Sequence, residues 1–139
     1  MIEAHIKDGV AVTKFLYWIK NSNIRKLDEI KVEKKLESFR KQSKNYLFPS
    51  FSTIAGSGPN GAIIHYRSNK KSNRKLNKDH LLLVDSGGQY KWGTTDITRT
   101  ISFSDSSKKT KELYTRVLKG HIAVAMSKID KLKNGNNID

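Results

Sequence analysis

Residues 81–103 read LLLVDSGGQYKWGTTDITRTISF, and this stretch decides the fold of a 139-residue chain. It begins with an apolar run, 81–84, which is typical of a strand buried on both faces. Asp85 ends the run, and the Ser-Gly-Gly that follows is a turn signal. Beyond a second glycine, polar and apolar residues alternate from 94 to 103, as they do in a strand with one buried face. We therefore predict two neighbouring strands of one hairpin.

Two acids, Asp85 and Asp96, lie on the two predicted strands. An ionised carboxylate at the end of an apolar strand is costly to desolvate, and a second acid nearby raises that cost. A bound divalent cation would remove it. The residues alone leave another interpretation open, because Asp before Ser-Gly-Gly is a common turn opener and Asp96 also suits an exposed strand position.

Three motifs, in a fixed order along the chain, favour the metal-binding interpretation over the turn and exposed-strand interpretation. DSGGQY at 85–90 and GTTDITRT at 93–100 resemble the metal-binding signature of aminopeptidase P (Xaa-Pro aminopeptidase). This family of pita-bread metallopeptidases is related to prolidase, creatinase and methionine aminopeptidase. SGPNGAIIHY at 57–66 is similar to the same family, in the same order and at a similar distance. The resemblance covers nearly the whole chain.

The resemblance implies an α+β class with the pita-bread (creatinase/aminopeptidase-like) fold. Only the first half of that fold is expected, with helices packed on one side of a mainly antiparallel sheet. Residues 1–139 would form one partial catalytic domain, the N-terminal half.

The resemblance also assigns the candidate site. Asp85 would bind one of two divalent metal ions, most simply Mn²⁺, and Asp96 would bridge both. His65 would bind the substrate, a peptide with proline at its second position. A hydroxide bridging the two ions would attack the Xaa–Pro peptide bond. No catalytic residue is assigned within the chain itself.

The family's remaining ligands, a histidine and two glutamates, come after the position of residue 139 in full-length relatives. We therefore expect the chain alone to bind Mn²⁺ weakly and not to cleave Xaa–Pro bonds. A homodimer of the full-length protein is a separate expectation. Two alternatives stay open: a non-enzymatic binding protein with the pita-bread fold, or a degenerate split-gene product.

Composition narrows the class of protein. The net charge is +14, from 27 Lys and Arg against 13 Asp and Glu, and there is no cysteine. Much of the basic excess lies in 69–78, where no aromatic residue is interleaved, so we interpret it as a solvated face rather than a nucleic-acid surface. No apolar run approaches the roughly 20 residues of a membrane span. With acids in the first turns, unlike a signal peptide, these features predict a cytoplasmic protein.

Helical spacing of apolar residues predicts a helix at 3–20 and a second at about 27–42. For the first, the inward face is predicted to contain Ile2, Ile6, Val10, Val12, Phe15, Leu16 and Ile19. AIIHYR at 62–67 is predicted to be a strand, and 68–79 an exposed loop. The segment Ser104-Asp105-Ser106-Ser107 is predicted to cap a third helix.

Overall fold

A computed structural model describes residues 1–127 of the chain. Met1–Ser104 form one compact unit, and a second unit begins at Asp105. The helices and strands, in chain order, are α1 (Ile2–Lys20), α2 (Glu29–Arg40), β1 (Tyr46–Pro49), β2 (Ile54–Ser57), β3 (Leu82–Ser86), β4 (Gly88–Tyr90), β5 (Gly93–Thr94), β6 (Ile97–Ile101) and α3 (Lys108–Ala125). All three predicted helices are therefore confirmed.

The strands form two three-stranded sheets, in the orders β1-β4-β5 and β2-β3-β6. β3 pairs antiparallel with both β2 and β6, and Asp85 lies opposite Thr98 in the register. The two strands predicted from 81–103 are thus neighbours. They are not joined by a tight turn, because β4 and β5 lie between them in the chain and belong to the other sheet.

The core lies between the two helices of the first unit and one face of the β2-β3-β6 sheet. Its buried members are Val12, Phe15, Ile19, Val32, Leu36, Ala55, Leu76, Leu82, Val84 and Ile101. Thr98 and Thr100 of β6 are exposed, and Arg99 between them is exposed as well, so burial along β6 does not alternate strictly. The predicted α+β arrangement is confirmed for the first unit, where α1 and α2 pack on one side of an antiparallel sheet.

The predicted inward face of α1 is partly wrong. Ile2, Ile6 and Val10 are 79%, 53% and 51% exposed, whereas Ala4 and Asp8 are completely buried. Two features set the rotation of the helix. A Cβ built on Gly93 would sit 3.1 Å from the Ala4 Cβ, so small residues permit this close approach, and Asp8 forms a buried ion pair.

The segment predicted as a third strand, 62–67, is not a strand. It comprises the end of a short 3-10 helix (Gly58–Ala62) and a turn in which His65 has a left-handed φ of 53°. Glu29 bends the segment, because both Asn60 and Tyr66 donate hydrogen bonds to its carboxylate. The loop at 68–79 is only partly exposed, since Leu76 is buried in the core.

The second unit begins with a capped helix. Ser107 precedes α3, and its side-chain oxygen accepts a hydrogen bond from the Thr110 backbone N–H at 3.1 Å. The predicted serine cap is confirmed, since serine in this position satisfies a free N–H of the first turn. Among residues 1–127, none of the helices has the length and apolar character that a membrane crossing needs.

Candidate metal centre

The carboxyl groups of Asp85 and Asp96 meet on one face of the β3–β6 pair. Asp85 lies on β3, opposite Thr98, whose Oγ1 donates a hydrogen bond to Asp85 Oδ1 at 2.7 Å. Asp96 immediately precedes β6 and is hydrogen-bonded to the Asp85 side chain. The expectation that the two acids converge across paired strands agrees with this geometry.

Convergence has an electrostatic cost. Although Asp96 is largely exposed as a residue, partial desolvation of its carboxyl group and, second, the neighbouring Asp85 carboxylate raise its pKa above the ordinary value. Two carboxylates this close resist simultaneous ionisation, and a divalent cation between them would remove the repulsion. The donors are all oxygens, which suit hard ions such as Mg²⁺ and Mn²⁺.

Alternation along the strands separates these acids from their inward-facing neighbours. Ser86, which follows Asp85, is 1% exposed, and Thr95, which precedes Asp96, is 2% exposed. Ser86 and Thr95 thus lie on the inward side, whereas Asp96 is exposed and Asp85 is partly exposed.

A buried ion pair lies beneath the two acids. Arg40 Nε and Nη2 donate to the two oxygens of Asp8 at 2.6 and 3.2 Å, and both side chains are completely buried. Tyr90 Oη also donates to Asp8, at 3.0 Å. Burial and, next, the Asp8 charge raise the pKa of Tyr90 above its ordinary value, so its hydroxyl remains a donor.

His65 lies in the exposed turn after the 3-10 helix. Tyr66, next in the chain, is buried, and its hydroxyl donates to Glu29 Oε2 at 2.7 Å. Burial is the main cause that raises the pKa of Tyr66, which keeps the hydroxyl protonated. The turn that presents His65 is therefore anchored at its next residue.

Within residues 1–127, no third His, Asp or Glu joins Asp85 and Asp96 in a group able to hold a metal ion. His65 is accordingly not a third ligand there. Its assignment as a substrate-binding residue remains a prediction.

Sequence reasoning missed the buried polar residues Asp8, Glu29 and Arg40. The sequence does contain one indication that Asp8 is buried. Ala4, Asp8, Ala11, Phe15 and Ile19 follow helical spacing and are all buried, so an acid sits within a continuous inward stripe.

Comparison with known proteins defines the family. The model of metallopeptidase family M24 matches residues 1–139. The chain belongs to this family. Among curated M24 relatives, it is 42% identical over 140 residues to Xaa-Pro aminopeptidase ApepP of Drosophila melanogaster, covering 99% of this chain but 23% of that protein. It is 45% identical over 129 residues to aminopeptidase P2 of Arabidopsis thaliana, covering 89% and 18%.

Solved M24 structures confirm the pita-bread fold. X-prolyl aminopeptidase from Caenorhabditis elegans, described as a cytosolic enzyme with a di-nuclear active site, aligns with a TM-score of 0.82 at 34% identity, over 90% of this chain and 21% of that one. Prolidase from Thermococcus sibiricus aligns with a TM-score of 0.73 at 30% identity, over 88% and 33%. The chain spans about a quarter of the length of the curated relatives it matches.

Proposed function

We propose that this chain supplies part of the dinuclear metal centre of an Xaa-Pro aminopeptidase. The enzyme would hydrolyse the bond between an N-terminal residue and a following proline. The observation that carries the proposal is the meeting of the Asp85 and Asp96 carboxyl groups across paired strands. The curated relatives named Xaa-Pro aminopeptidase support the substrate class, and the di-nuclear active site of the nematode enzyme supports two ions.

The residues fit such ions. Asp85 would bind one metal ion and Asp96 would bridge both, because two adjacent carboxylates supply hard oxygen donors. Mn²⁺ is the metal that the family resemblance leads us to expect. When bound, the ions would supply an activated water and polarise the substrate carbonyl. Thr98 holds one oxygen of Asp85 in place by its hydrogen bond.

His65 would contact the substrate. A neutral imidazole both donates and accepts hydrogen bonds, so it suits a peptide carbonyl or amide. Its side chain is exposed, and its left-handed backbone is supported by the anchored Tyr66. A residue that holds a conformation more favourable to glycine is consistent with a role for its side chain.

The described residues supply only two carboxylates to the site. An octahedral ion prefers about six oxygen ligands, so we expect the 139-residue chain alone to bind Mn²⁺ weakly and to release no residue from an Xaa-Pro peptide. The whole protein is proposed to act in the cytoplasm, possessing the remaining ligands in other residues, and to dimerise. The cytosolic nematode relative supports the location.

The test compares variants of the whole protein as its gene encodes it. Asp85→Asn and Asp96→Asn should each lower Mn²⁺ affinity, measured by calorimetry, and Mn²⁺-dependent release of the first residue from an Xaa-Pro peptide. Replacing a ligand Asp by Asn removes one negative charge and one oxygen donor to the metal ion. We therefore expect the peptidase activity of each variant to fall by more than about 100-fold. Asp79→Asn is the matched control, because Asp79 is an exposed acid of a loop.

Unchanged Mn²⁺ binding in both variants would rule out the proposed centre. Tight Mn²⁺ binding without cleavage of any Xaa-Pro peptide would instead favour a non-enzymatic member of the family. Robust cleavage by the 139-residue chain alone would contradict the expectation that other ligands are needed.

A further inference from the structure

We propose that the buried Asp8–Arg40 pair positions the two candidate metal-binding acids, so that Asp8 and Arg40 are positioning residues of the centre. This inference rests on the proposed function. It is carried by a separate observation: one buried pair is hydrogen-bonded to the chain neighbour of each acid.

The first connection runs to Asp96. Thr95 Oγ1 donates to Asp8 Oδ2 at 2.6 Å, and the same oxygen accepts from the Gly88 backbone N–H at 2.9 Å. Thr95 therefore has its hydroxyl fixed on both sides. Because Thr95 is buried and Asp96, the next residue in the chain, is exposed, fixing the first limits the movement of the second.

The second connection runs to Asp85. Arg40 Nη2 donates to Ser86 Oγ at 3.0 Å, and the same nitrogen donates to Asp8. Ser86 is the last residue of β3 and follows Asp85 directly. The chain neighbours of both acids are thus hydrogen-bonded to the same charged pair. Asp8 of α1 and Arg40 of α2 form this pair on the inward side of the strands.

Burial makes this support stiff. Asp8, Arg40, Ser86 and Thr95 are each no more than 2% exposed, and no water competes for hydrogen bonds between charged groups in such a site. Charge-assisted bonds are shorter and stronger than neutral ones, as the distances of 2.6 Å at Asp8 indicate. Outer residues that orient metal ligands typically contribute 10–100-fold to metal affinity.

The alternative is that the pair contributes only to stability. Mn²⁺ affinity distinguishes a positioning role from a purely stabilising one. A purely stabilising contact does not change Mn²⁺ affinity in molecules that remain folded. Thr95→Val removes the contact between Asp8 and the residue before Asp96. Tyr90→Phe is the matched control, because it removes one hydrogen bond to the same Asp8 carboxylate but no contact with a neighbour of either acid.

The experiment measures Mn²⁺ affinity by calorimetry in the whole protein, alongside the melting temperature without metal. We expect Thr95→Val to weaken Mn²⁺ binding about 10-fold. Thr95→Ser keeps the hydroxyl and should restore affinity, and Tyr90→Phe should bind Mn²⁺ like the parent despite a lower melting temperature. Ser86→Ala, which removes the second connection, should weaken binding in the same direction as Thr95→Val.

Equal affinity in Thr95→Val and the parent would overturn the inference if Asp96→Asn lowers Mn²⁺ affinity in the same assay. Equal losses in Thr95→Val and Tyr90→Phe would also overturn it, since the effect would then follow stability. Asp96→Asn that binds Mn²⁺ like the parent would reject the proposed centre, and the positioning role with it. If Thr95→Val does not fold, Ser86→Ala decides the outcome, because parent-like Mn²⁺ affinity in that variant would overturn the inference.

Discussion

Asp8 and Glu29 are both completely buried acids on neighbouring helices, and they are held in different ways. Asp8 lies in the middle of α1 and is paired with the guanidinium of Arg40. Glu29 is the first residue of α2. Within residues 1–127, no side-chain cation forms an ion pair with it, and its hydrogen bonds come from neutral donors.

Four donors converge on Glu29 from four separate places in the chain. They are the backbone N–H of Ser57 at 2.8 Å, Asn60 Nδ2 at 2.9 Å, the hydroxyl of Tyr66 at 2.7 Å and the backbone N–H of Arg74 at 3.0 Å. Glu29 also sits at a helix N-terminus, where the macrodipole favours negative charge.

The difference shows what each acid organises. An ion pair is compact and connects regular elements, and the Asp8–Arg40 pair supports two strand ends. Glu29 has no counter-ion, so it gathers donors from irregular backbone, and it thereby fixes the end of β2, the 3-10 helix, the His65 turn and the loop at 68–79. The candidate metal ligands and the candidate substrate residue thus depend on separate buried acids.

The largest expected effect follows from removing one partner of the ion pair. Arg40→Met leaves the Asp8 carboxylate buried without a counter-ion, and such a change typically costs about 3–5 kcal/mol of unfolding free energy. Arg116→Met is the control, because Arg116 bonds Glu112 at the same 2.6 Å but both side chains are exposed. That exposed pair should cost under about 1 kcal/mol. Urea unfolding measures both, and equal losses would contradict the special role of the buried pair.

A smaller loss is expected at Glu29. Glu29→Gln keeps one acceptor oxygen but turns the other into an amide nitrogen, which would face the N–H of Arg74. An unsatisfied buried donor costs about 1–3 kcal/mol. Glu3→Gln, an exposed change in the first turn of α1, should stay within about 0.5 kcal/mol. If Glu29→Gln were as stable as the parent in urea unfolding, the four hydrogen bonds would not be what holds this region.

The two buried acids also explain which features were predictable from sequence. Periodicity reports local structure, so the helices, the Ser107 cap and the antiparallel neighbours β3 and β6 were predicted correctly. The single hairpin was not, because β4 and β5 intervene and Asp96 precedes β6. A partner 32 positions away, as Arg40 is from Asp8, leaves no local pattern. The rotation of α1 depends on that partner, and its inward face was therefore partly wrong.

The same reasoning accounts for the failed strand at 62–67. Ile63 and Ile64 gave an apolar run typical of a strand, but they are 53% and 85% exposed. The chain instead reverses at His65, and this brings Tyr66 to Glu29. No pattern within the segment signals a hydrogen bond to a residue 37 positions earlier.

The left-handed turn at His65 gives a test of how firmly Glu29 holds this segment, with an expected difference in unfolding free energy of about 1 kcal/mol. His65→Gly and His65→Ala both remove the imidazole, but only glycine adopts a left-handed φ without a steric cost. If the Glu29 contacts hold the turn in this conformation, His65→Gly should be more stable than His65→Ala by about 1 kcal/mol in urea unfolding. Equal stability would mean that the turn relaxes when the side chain is shortened.

The smallest expected effect concerns Glu33, one turn after Glu29 on α2. Glu33 is half-buried, and its Oε1 accepts a hydrogen bond from Ser68 Oγ at 2.6 Å. Burial raises the pKa of Glu33, the Ser68 hydrogen bond lowers it, and the negative charge of Glu29 raises it, with a net rise. Since the folded protein then holds this proton more tightly than the unfolded chain, stability falls as pH rises from the ordinary value of 4.5 through the folded pKa.

Glu33→Gln removes that titration while its amide oxygen still accepts from Ser68. We expect no gain in stability at about pH 4 and a gain of less than about 1 kcal/mol at neutral pH, measured by urea unfolding across the range. The gain should shrink when Glu29→Gln is combined with it, because part of the pKa rise comes from the Glu29 charge. A gain that is the same at all pH values would contradict the raised pKa of Glu33. A gain unchanged by Glu29→Gln would contradict a contribution from the Glu29 charge.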